Sequence, residues 1–235
     1  MLALLLACLL QDAPGEMVKI PILTPSVNNP RNTGGDFIDL KDGILMYVYA
    51  RFSGTSDDSE LAAVYSGDGG RTWSLRYESL FPNEAKQGAR SVSLVRLAGG
   101  EIALFYLKRN SAEDCRPFLR ISAEEGRRWS APVPCISEMG SYAIANGRVT
   151  QLKSGRLLIP AEREGKILCS LSDDGGKIWR LNRSLLEAPA ASRSGLREPL
   201  VVELKSGDLT MLCSTDLGFL YRAESKDGGE TWTPA

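Results

Sequence analysis

The side chains that could do chemistry in this chain are arginines and carboxylates, because none of its 235 residues is a histidine. A histidine general base, a Ser–His triad and a histidine-ligated metal site are therefore excluded. Arg31 precedes the first apolar stretch, and Arg51 follows the next one, just before the acidic run 57–60. Glu198 stands directly before another apolar stretch, where a carboxylate has no obvious structural purpose. The elements around these residues must bring them together if they form a site.

Four copies of an eight-residue motif, Ser-x-Asp-x-Gly-x-Thr-Trp, organise the chain. These octets occupy residues 66–73, 122–129, 172–179 and 225–232. The first and fourth copies keep every position, the third replaces the threonine, and the second replaces both the aspartate and the threonine. Their tryptophans, the only ones in the chain, lie 56, 50 and 53 residues apart. A period near 50 residues predicts one supersecondary unit that is used repeatedly.

The composition of the octets predicts hairpin turns. Asp-Gly and Gly-Gly supply the positive φ of a tight connection, and the tryptophan can cover the hairpin with its ring. We therefore expect the octets to stabilise the fold and to take no part in chemistry. A strand–Gly turn–strand pattern precedes each octet, at residues 37–46, 93–104, 149–158 and 201–210. Four antiparallel strands in each unit predict an all-β fold, with each unit forming one blade of a β-propeller.

The order of strands predicts which residues share a face of the propeller. In an up-and-down blade, the turn between strands three and four and the loop between strands two and three lie at opposite ends. The octets thus occupy one face. Arg31, before the first strand, and Asp57, between the second and third, occupy the other. Links between blades lie on that same face, where loops on a rigid scaffold can build a site.

The chain resembles the bacterial sialidase (neuraminidase) family. It has Asp-box octets in a propeller, an arginine before the first strand, and an Arg–loop–Asp pattern after the second. The runs 29–32, 35–38 and 112–120 resemble a branch of secreted sialidase-like proteins. The likeness extends from about residue 17 to the end. It implies a six-bladed propeller with about four blades in this chain, so that a C-terminally truncated member is expected.

The resemblance implies an exo-acting, retaining glycoside hydrolase that releases terminal sialic acid. In that family three arginines hold the sugar carboxylate, a tyrosine activated by a glutamate attacks the anomeric carbon, and an aspartate is the acid/base. Arg31 matches the first arginine and Arg51 a further pocket arginine. Asp57 matches the acid/base, and Asp58 is the alternative because a slip of one residue in the loop would exchange them. Glu198 matches the glutamate that activates the tyrosine.

Two departures from the family pattern accompany these matches. Ser214 stands where the second carboxylate-binding arginine is expected, and a serine cannot pair with a carboxylate as a fork. The third arginine and the nucleophilic tyrosine belong to later blades, so the chain is expected to be inactive by itself. Ser214 favours the alternative of a catalytically degenerate, carbohydrate-binding propeller. Arg116 and Arg148 open strands on the same face and are either further substrate contacts or surface charges.

The first residues and the charge predict where the protein acts and on what. We expect residues 1–16 to form an export segment, with an apolar stretch at 1–10, and 17–235 to form the propeller. Residues 5–8 resemble a bacterial lipoprotein processing box that ends at Cys8, and the alternative to export is a truncated start or a misassigned start codon. The apolar run is too short to span a bilayer. A net charge of −1 argues against nucleic acid as a partner. We expect a secreted, periplasmic or cell-surface monomer that binds sialylated or related acidic glycans without a metal or cofactor. Oxidation of Cys115 and Cys135 to a disulfide stays open.

Overall fold

A computed structural model describes residues 19–54, 58–82 and 84–235. Within these ranges the regular secondary structure is entirely β, and fifteen strands form four antiparallel sheets. Among the described residues, no helix long and apolar enough to cross a lipid bilayer is found. The predicted export segment 1–16 and the predicted acid/base Asp57 lie outside the described residues.

Each sheet is built from strands in chain order, as the repeat predicts, and we call the sheets blades 1 to 4. Blade 1 contains β1 (Arg31–Asp39), β2 (Leu45–Phe52), β3 (Ser59–Ser66) and β4 (Glu78–Ser79). Blade 2 contains β5 (Ala89–Arg96), β6 (Ile102–Arg109), β7 (Cys115–Ser122) and β8 (Val133–Pro134). Blade 3 contains β9 (Thr150–Gln151), β10 (Leu157–Arg163), β11 (Lys166–Ser172) and β12 (Arg180–Leu181). Blade 4 contains β13 (Arg197–Glu203), β14 (Leu209–Ser214) and β15 (Leu220–Ser225).

The all-β propeller architecture is confirmed, with a difference in the last blade. Blades 1 to 3 have four strands each, whereas blade 4 has three among the described residues. After its octet, the Thr233 amide donates to the Glu224 carbonyl at 2.9 Å. In blade 1 the corresponding bond, from Ser74 to Tyr65 at 2.8 Å, precedes the fourth strand. The chain in blade 4 therefore turns back in the same way as in blade 1.

The blades pack face to face through apolar side chains that alternate along their middle strands. On β6, Leu104 and Tyr106 face blade 1, and Phe105 and Leu107 face blade 3. All four are at most 4% exposed. Blades 3 and 4 share a further core around the octet residue Trp232. Since successive residues of a strand point to opposite faces, an interior blade must be apolar on both sides.

The octets form the turns that the sequence predicts. In the first copy, the Ser66 hydroxyl accepts a hydrogen bond from the Gly70 amide at 2.8 Å. The Asp68 carboxylate accepts from the Thr72 amide and hydroxyl, which lowers its pKa. The Trp73 indole donates to the Gly70 carbonyl at 3.1 Å, and the third and fourth copies repeat this bond. All of these contacts are local, so the octets shape the hairpins and leave the opposite face for a site.

Four cysteines, Cys115, Cys135, Cys169 and Cys213, are buried and unpaired in the described part of the chain. The disulfide between Cys115 and Cys135 that the sequence left open is therefore not formed here. Burial raises the pKa of all four thiols. They pack as small apolar side chains.

Candidate functional site

The innermost strands of three blades carry a β-bulge at the end opposite the octets. The residue in the left-handed conformation is Gly34 in blade 1 (φ 61), Ser91 in blade 2 (φ 58) and Glu198 in blade 4 (φ 50). Glycine adopts this conformation freely. For a residue with a Cβ atom it costs about 1–2 kcal/mol. Such strain persists where the surrounding structure enforces it, often at functional sites. The left-handed residue is thus a feature of a bulge that three blades share, and in blade 4 this position is occupied by Glu198.

The innermost strand of blade 3 departs further from the pattern. Residues 144–149 leave the sheet before β9 begins. From this excursion the Asn146 side-chain amide donates to the Gly35 carbonyl of blade 1 at 3.0 Å. The Gly147 amide donates to the Val92 carbonyl of blade 2 at 2.9 Å. The excursion therefore ties three blades together beside the bulges and supports the floor of the candidate site.

A groove of about 310 Å³ lies between blades 3 and 4 at this place, and we call it the Glu198 groove. Its lining includes Ile144, Asn146, Glu162, Arg197, Glu198 and Pro199. The Glu198 side chain is exposed and makes no hydrogen bond or ion pair with any described residue. A carboxylate that serves no internal contact is available to a ligand.

Arg31 and Arg51 lie on opposite faces of blade 1. The Arg31 guanidinium stacks on the Phe52 ring at 3.9 Å, on the face that packs against blade 2. Arg51 donates from Nη1 to Glu60 Oε1 at 3.1 Å and stacks on the Tyr77 ring at 4.3 Å. These contacts hold Arg51 on the outer flank of the blade, which is the face turned away from blade 2. The structure therefore does not bring the two predicted arginines to one side of the sheet, and their joint role stays a prediction.

The other predicted residues lie at the same end of the strands. Asp58 immediately precedes β3, on the rim of a second groove of about 360 Å³ between blade 1 and the link to blade 2. Arg116, near the start of β7, donates to Asp114 at 2.6 Å and to the Ser137 carbonyl at 2.9 Å. The ion pair lowers the pKa of Asp114. The Arg116 guanidinium thus already serves the fold.

Two residues of the Glu198 groove were missed by the sequence reasoning. Arg197 and Glu162 approach each other at 3.9 Å, between Nη1 and Oε2, with side chains 54% and 16% exposed. The other Glu162 oxygen accepts from the Gly165 amide at 3.0 Å. Arg197 is the immediate neighbour of Glu198, which is the only local signal that could have found it. No pattern in the sequence predicts that Glu162 lies in the Glu198 groove.

A carboxylate clamp holds the segment that leads to Glu198. Asp216 accepts from the Ser192 hydroxyl at 2.6 Å and from the amides of Arg193 and Ser194 at 3.1 and 3.3 Å. These bonds lower the pKa of Asp216 to about 2. The clamp joins the β14–β15 loop to the link between blades 3 and 4, and it thereby fixes the approach to the groove.

A hydrogen-bonded tyrosine–glutamate pair, the kind of pair that the resemblance expects at the active site, lies away from the Glu198 groove. The Tyr106 hydroxyl donates to Glu84 at 2.6 Å, and Arg120 donates to the same carboxylate at 2.5 Å. Tyr106 is completely buried, and burial is the largest cause of its raised pKa. A buried phenol with a raised pKa is a poor nucleophile toward a ligand on the surface. This pair fastens the connection between blades 1 and 2 to blade 2.

Comparisons with known proteins agree with this architecture. Residues 84–235 match the model of the BNR repeat-like domain. A protein of unknown function from Dyadobacter fermentans shares 21% identity over 91% of this chain and 70% of its own length, with a TM-score of 0.73. The NanB sialidase of Streptococcus pneumoniae shares 15% over 92% of this chain and 53% of its own, with a TM-score of 0.67. The Trypanosoma rangeli sialidase shares 19% identity over 90% of this chain and 38% of its own length, with a TM-score of 0.66.

Proposed function

Because the chain belongs to the family of BNR repeat-like domains and has the fold of a sialidase-type propeller, we propose that it binds terminal sialic acid of glycoconjugates. The binding face is the one opposite the octets. The chain spans between 38 and 70% of the length of the compared structures. Hydrolysis is therefore proposed for the whole protein, as exo-acting release of sialic acid with retention of configuration.

The observation that carries the proposal is the state of Glu198. Its backbone is left-handed, its carboxylate is exposed in a groove, and no described residue engages it. A glycine and a serine hold the equivalent bulge positions of blades 1 and 2, so the bulge itself does not require the Glu198 carboxylate. The position also matches the glutamate that activates the tyrosine in the family that the chain resembles.

In the proposed mechanism, Glu198 takes the proton of a nucleophilic tyrosine as the phenol oxygen bonds to the anomeric carbon. Asp57, or Asp58, gives a proton to the departing glycosidic oxygen. The same carboxylate then takes a proton from the water that breaks the glycosyl–tyrosine bond, and Glu198 returns its proton to the phenol. Arg31 holds the sugar carboxylate. Each step conserves protons, and both carboxylates end in their starting states.

Arg51 and Arg116 have a smaller part in this proposal. Each already pairs with a carboxylate of the fold, Arg51 with Glu60 and Arg116 with Asp114. A ligand would have to share or displace these pairs. We propose that they contribute positive charge near the binding face. The division into an export segment, 1–16, and a propeller, 17–235, also stays a proposal, as does a secreted or cell-surface location.

Ser214 supports a second candidate, a propeller that binds sialylated glycans without hydrolysis. Its hydroxyl donates to the Arg197 carbonyl at 3.3 Å, beside the Glu198 groove. The carboxylate-binding fork that the resemblance expects at this position is replaced by a short neutral side chain. A weaker hold on the substrate carboxylate would reduce turnover more readily than binding.

Two measurements test the proposal. Titration of the chain with N-acetylneuraminic acid, followed by ligand-observed NMR, should show saturable binding. Turnover of a fluorogenic sialoside by the whole protein should be lost in Glu198→Gln, while binding survives. Glu164→Gln is the matched control, because Glu164 is also exposed and left-handed (φ 54) but lies in the β10–β11 turn.

The outcomes separate the two candidates. Binding with turnover that depends on Glu198 supports the hydrolase. Binding without turnover by the whole protein supports the glycan-binding propeller. The absence of saturable sialic-acid binding would refute both.

A further inference from the structure

Arg197 and Ser214 lie directly opposite each other in the antiparallel pair of β13 and β14. The Cβ atoms of such a pair are about 5 Å apart and point to the same face of the sheet. The Ser214 hydroxyl donates to the Arg197 carbonyl, which confirms that the two residues are neighbours. The guanidinium that is missing at position 214 is thus present on the facing strand.

The Arg197 guanidinium has donors to spare. Its side chain is 54% exposed, and its nearest carboxylate oxygen, Glu162 Oε2, is 3.9 Å away. That distance is too long for a hydrogen bond. The side chain makes no hydrogen bond with any described residue. The Glu162 carboxylate therefore attracts the Arg197 guanidinium but leaves its N–H donors available to a ligand.

The charge balance of the Glu198 groove makes Arg197 important for an acidic ligand. The groove contains two carboxylates, Glu162 and Glu198, and Arg197 is the cation among its lining residues. Without Arg197, the charged side chains that a ligand carboxylate meets there would all be negative. A planar guanidinium can take a carboxylate through two parallel hydrogen bonds.

We propose that Arg197 binds the carboxylate of an acidic sugar in the Glu198 groove, in place of the arginine expected at position 214. The identity of the sugar as sialic acid rests on the proposed function. The availability of the Arg197 guanidinium to a carboxylate rests on its exposed position in the groove. Glu162 is a positioning residue, since its charge draws the guanidinium over the groove.

An exchange of the two side chains tests this inference. Affinities for N-acetylneuraminic acid, its methyl ester and glucuronic acid are measured by titration for wild type, Arg197→Ser and the double variant Arg197→Ser/Ser214→Arg. We expect Arg197→Ser to weaken binding of the free acids by at least about tenfold and to leave binding of the ester unchanged. The double variant should regain most of the loss. Arg222→Ser, which changes an exposed arginine on β15 of the same blade, is the control and should have no effect.

Each result decides the matter. Unchanged affinity in Arg197→Ser, or a loss that the double variant does not restore, overturns the inference. The expected pattern with glucuronic acid but no binding of N-acetylneuraminic acid supports Arg197 and refutes the sialic-acid proposal. If wild type binds none of the free acids, both fall. Thermal denaturation of every variant checks that the exchange leaves the fold intact.

Discussion

Replacement of Glu198 by glycine should make the chain more stable while it removes the unpaired carboxylate of the groove. At φ 50 the Glu198 backbone is left-handed, which costs about 1–2 kcal/mol for a residue with a Cβ atom. Glycine relieves that strain but loses about 0.5–1 kcal/mol more backbone entropy on folding. The net gain is about 0.5–1 kcal/mol. For a chain of this size it should raise Tm by about 1–4 °C.

The assay is urea denaturation followed by tryptophan fluorescence, together with titration of N-acetylneuraminic acid and turnover by the whole protein. Glu198→Ala removes the carboxylate but retains the Cβ atom, so it should not stabilise the chain. Ser91→Gly relieves the same strain at the equivalent bulge of blade 2, where φ is 58. It should stabilise the chain by a similar amount and leave turnover unchanged.

Stability and function should therefore move in opposite directions only at Glu198. The reasoning is refuted if Glu198→Gly lowers the free energy of unfolding, or if Glu198→Ala stabilises as much as glycine does. It is also refuted on the functional side if Glu198→Gly retains full turnover in an active whole protein.

Three further predictions concern the parts that hold the site in place. The low pKa of Asp216, about 2, means that its contribution to stability is complete above about pH 4 and is lost as the pH falls toward about 2. The difference in urea midpoint between wild type and Asp216→Ala should shrink over that range. Gly195→Ala would place a Cβ atom 2.3 Å from the Gly165 carbonyl oxygen. It should cost about 1–3 kcal/mol more than Gly207→Ala, whose Cβ atom would meet open space. Burial of Cys169 raises its thiol pKa, so Ellman's reagent should label this cysteine only after unfolding. Rapid labelling of Cys169 in the native chain would contradict its buried position.

The sequence determined the repeat and the blade, because their causes are local. Each octet closes through hydrogen bonds between residues at most four apart, such as Ser66 to Gly70 and Asp68 to Thr72. Glycine at the positive-φ positions and alternating apolar residues on the strands complete the unit. A repeated local pattern is readable without knowledge of the neighbours, and the propeller follows from its repetition.

Which residues share a face was only partly determined by the sequence. The strand order indicates that Arg31 and Arg51 lie at the same end of blade 1, and they do. It does not reveal that Arg31 faces blade 2 with Phe52 while Arg51 pairs with Glu60 on the outer flank. That difference depends on the strand register and on which side of the blade receives a neighbour.

The tertiary structure alone decided the composition of the Glu198 groove. The contact of Asn146 with Gly35 and the approach of Glu162 to Arg197 join residues from different blades. The pairing of Arg197 with Ser214 lies within one blade, but it depends on the register across a β-bulge. A shift of one residue in that register would turn each side chain to the other face of the sheet. Local sequence patterns do not specify such long-range register, so the groove could be found only once the blades were in place.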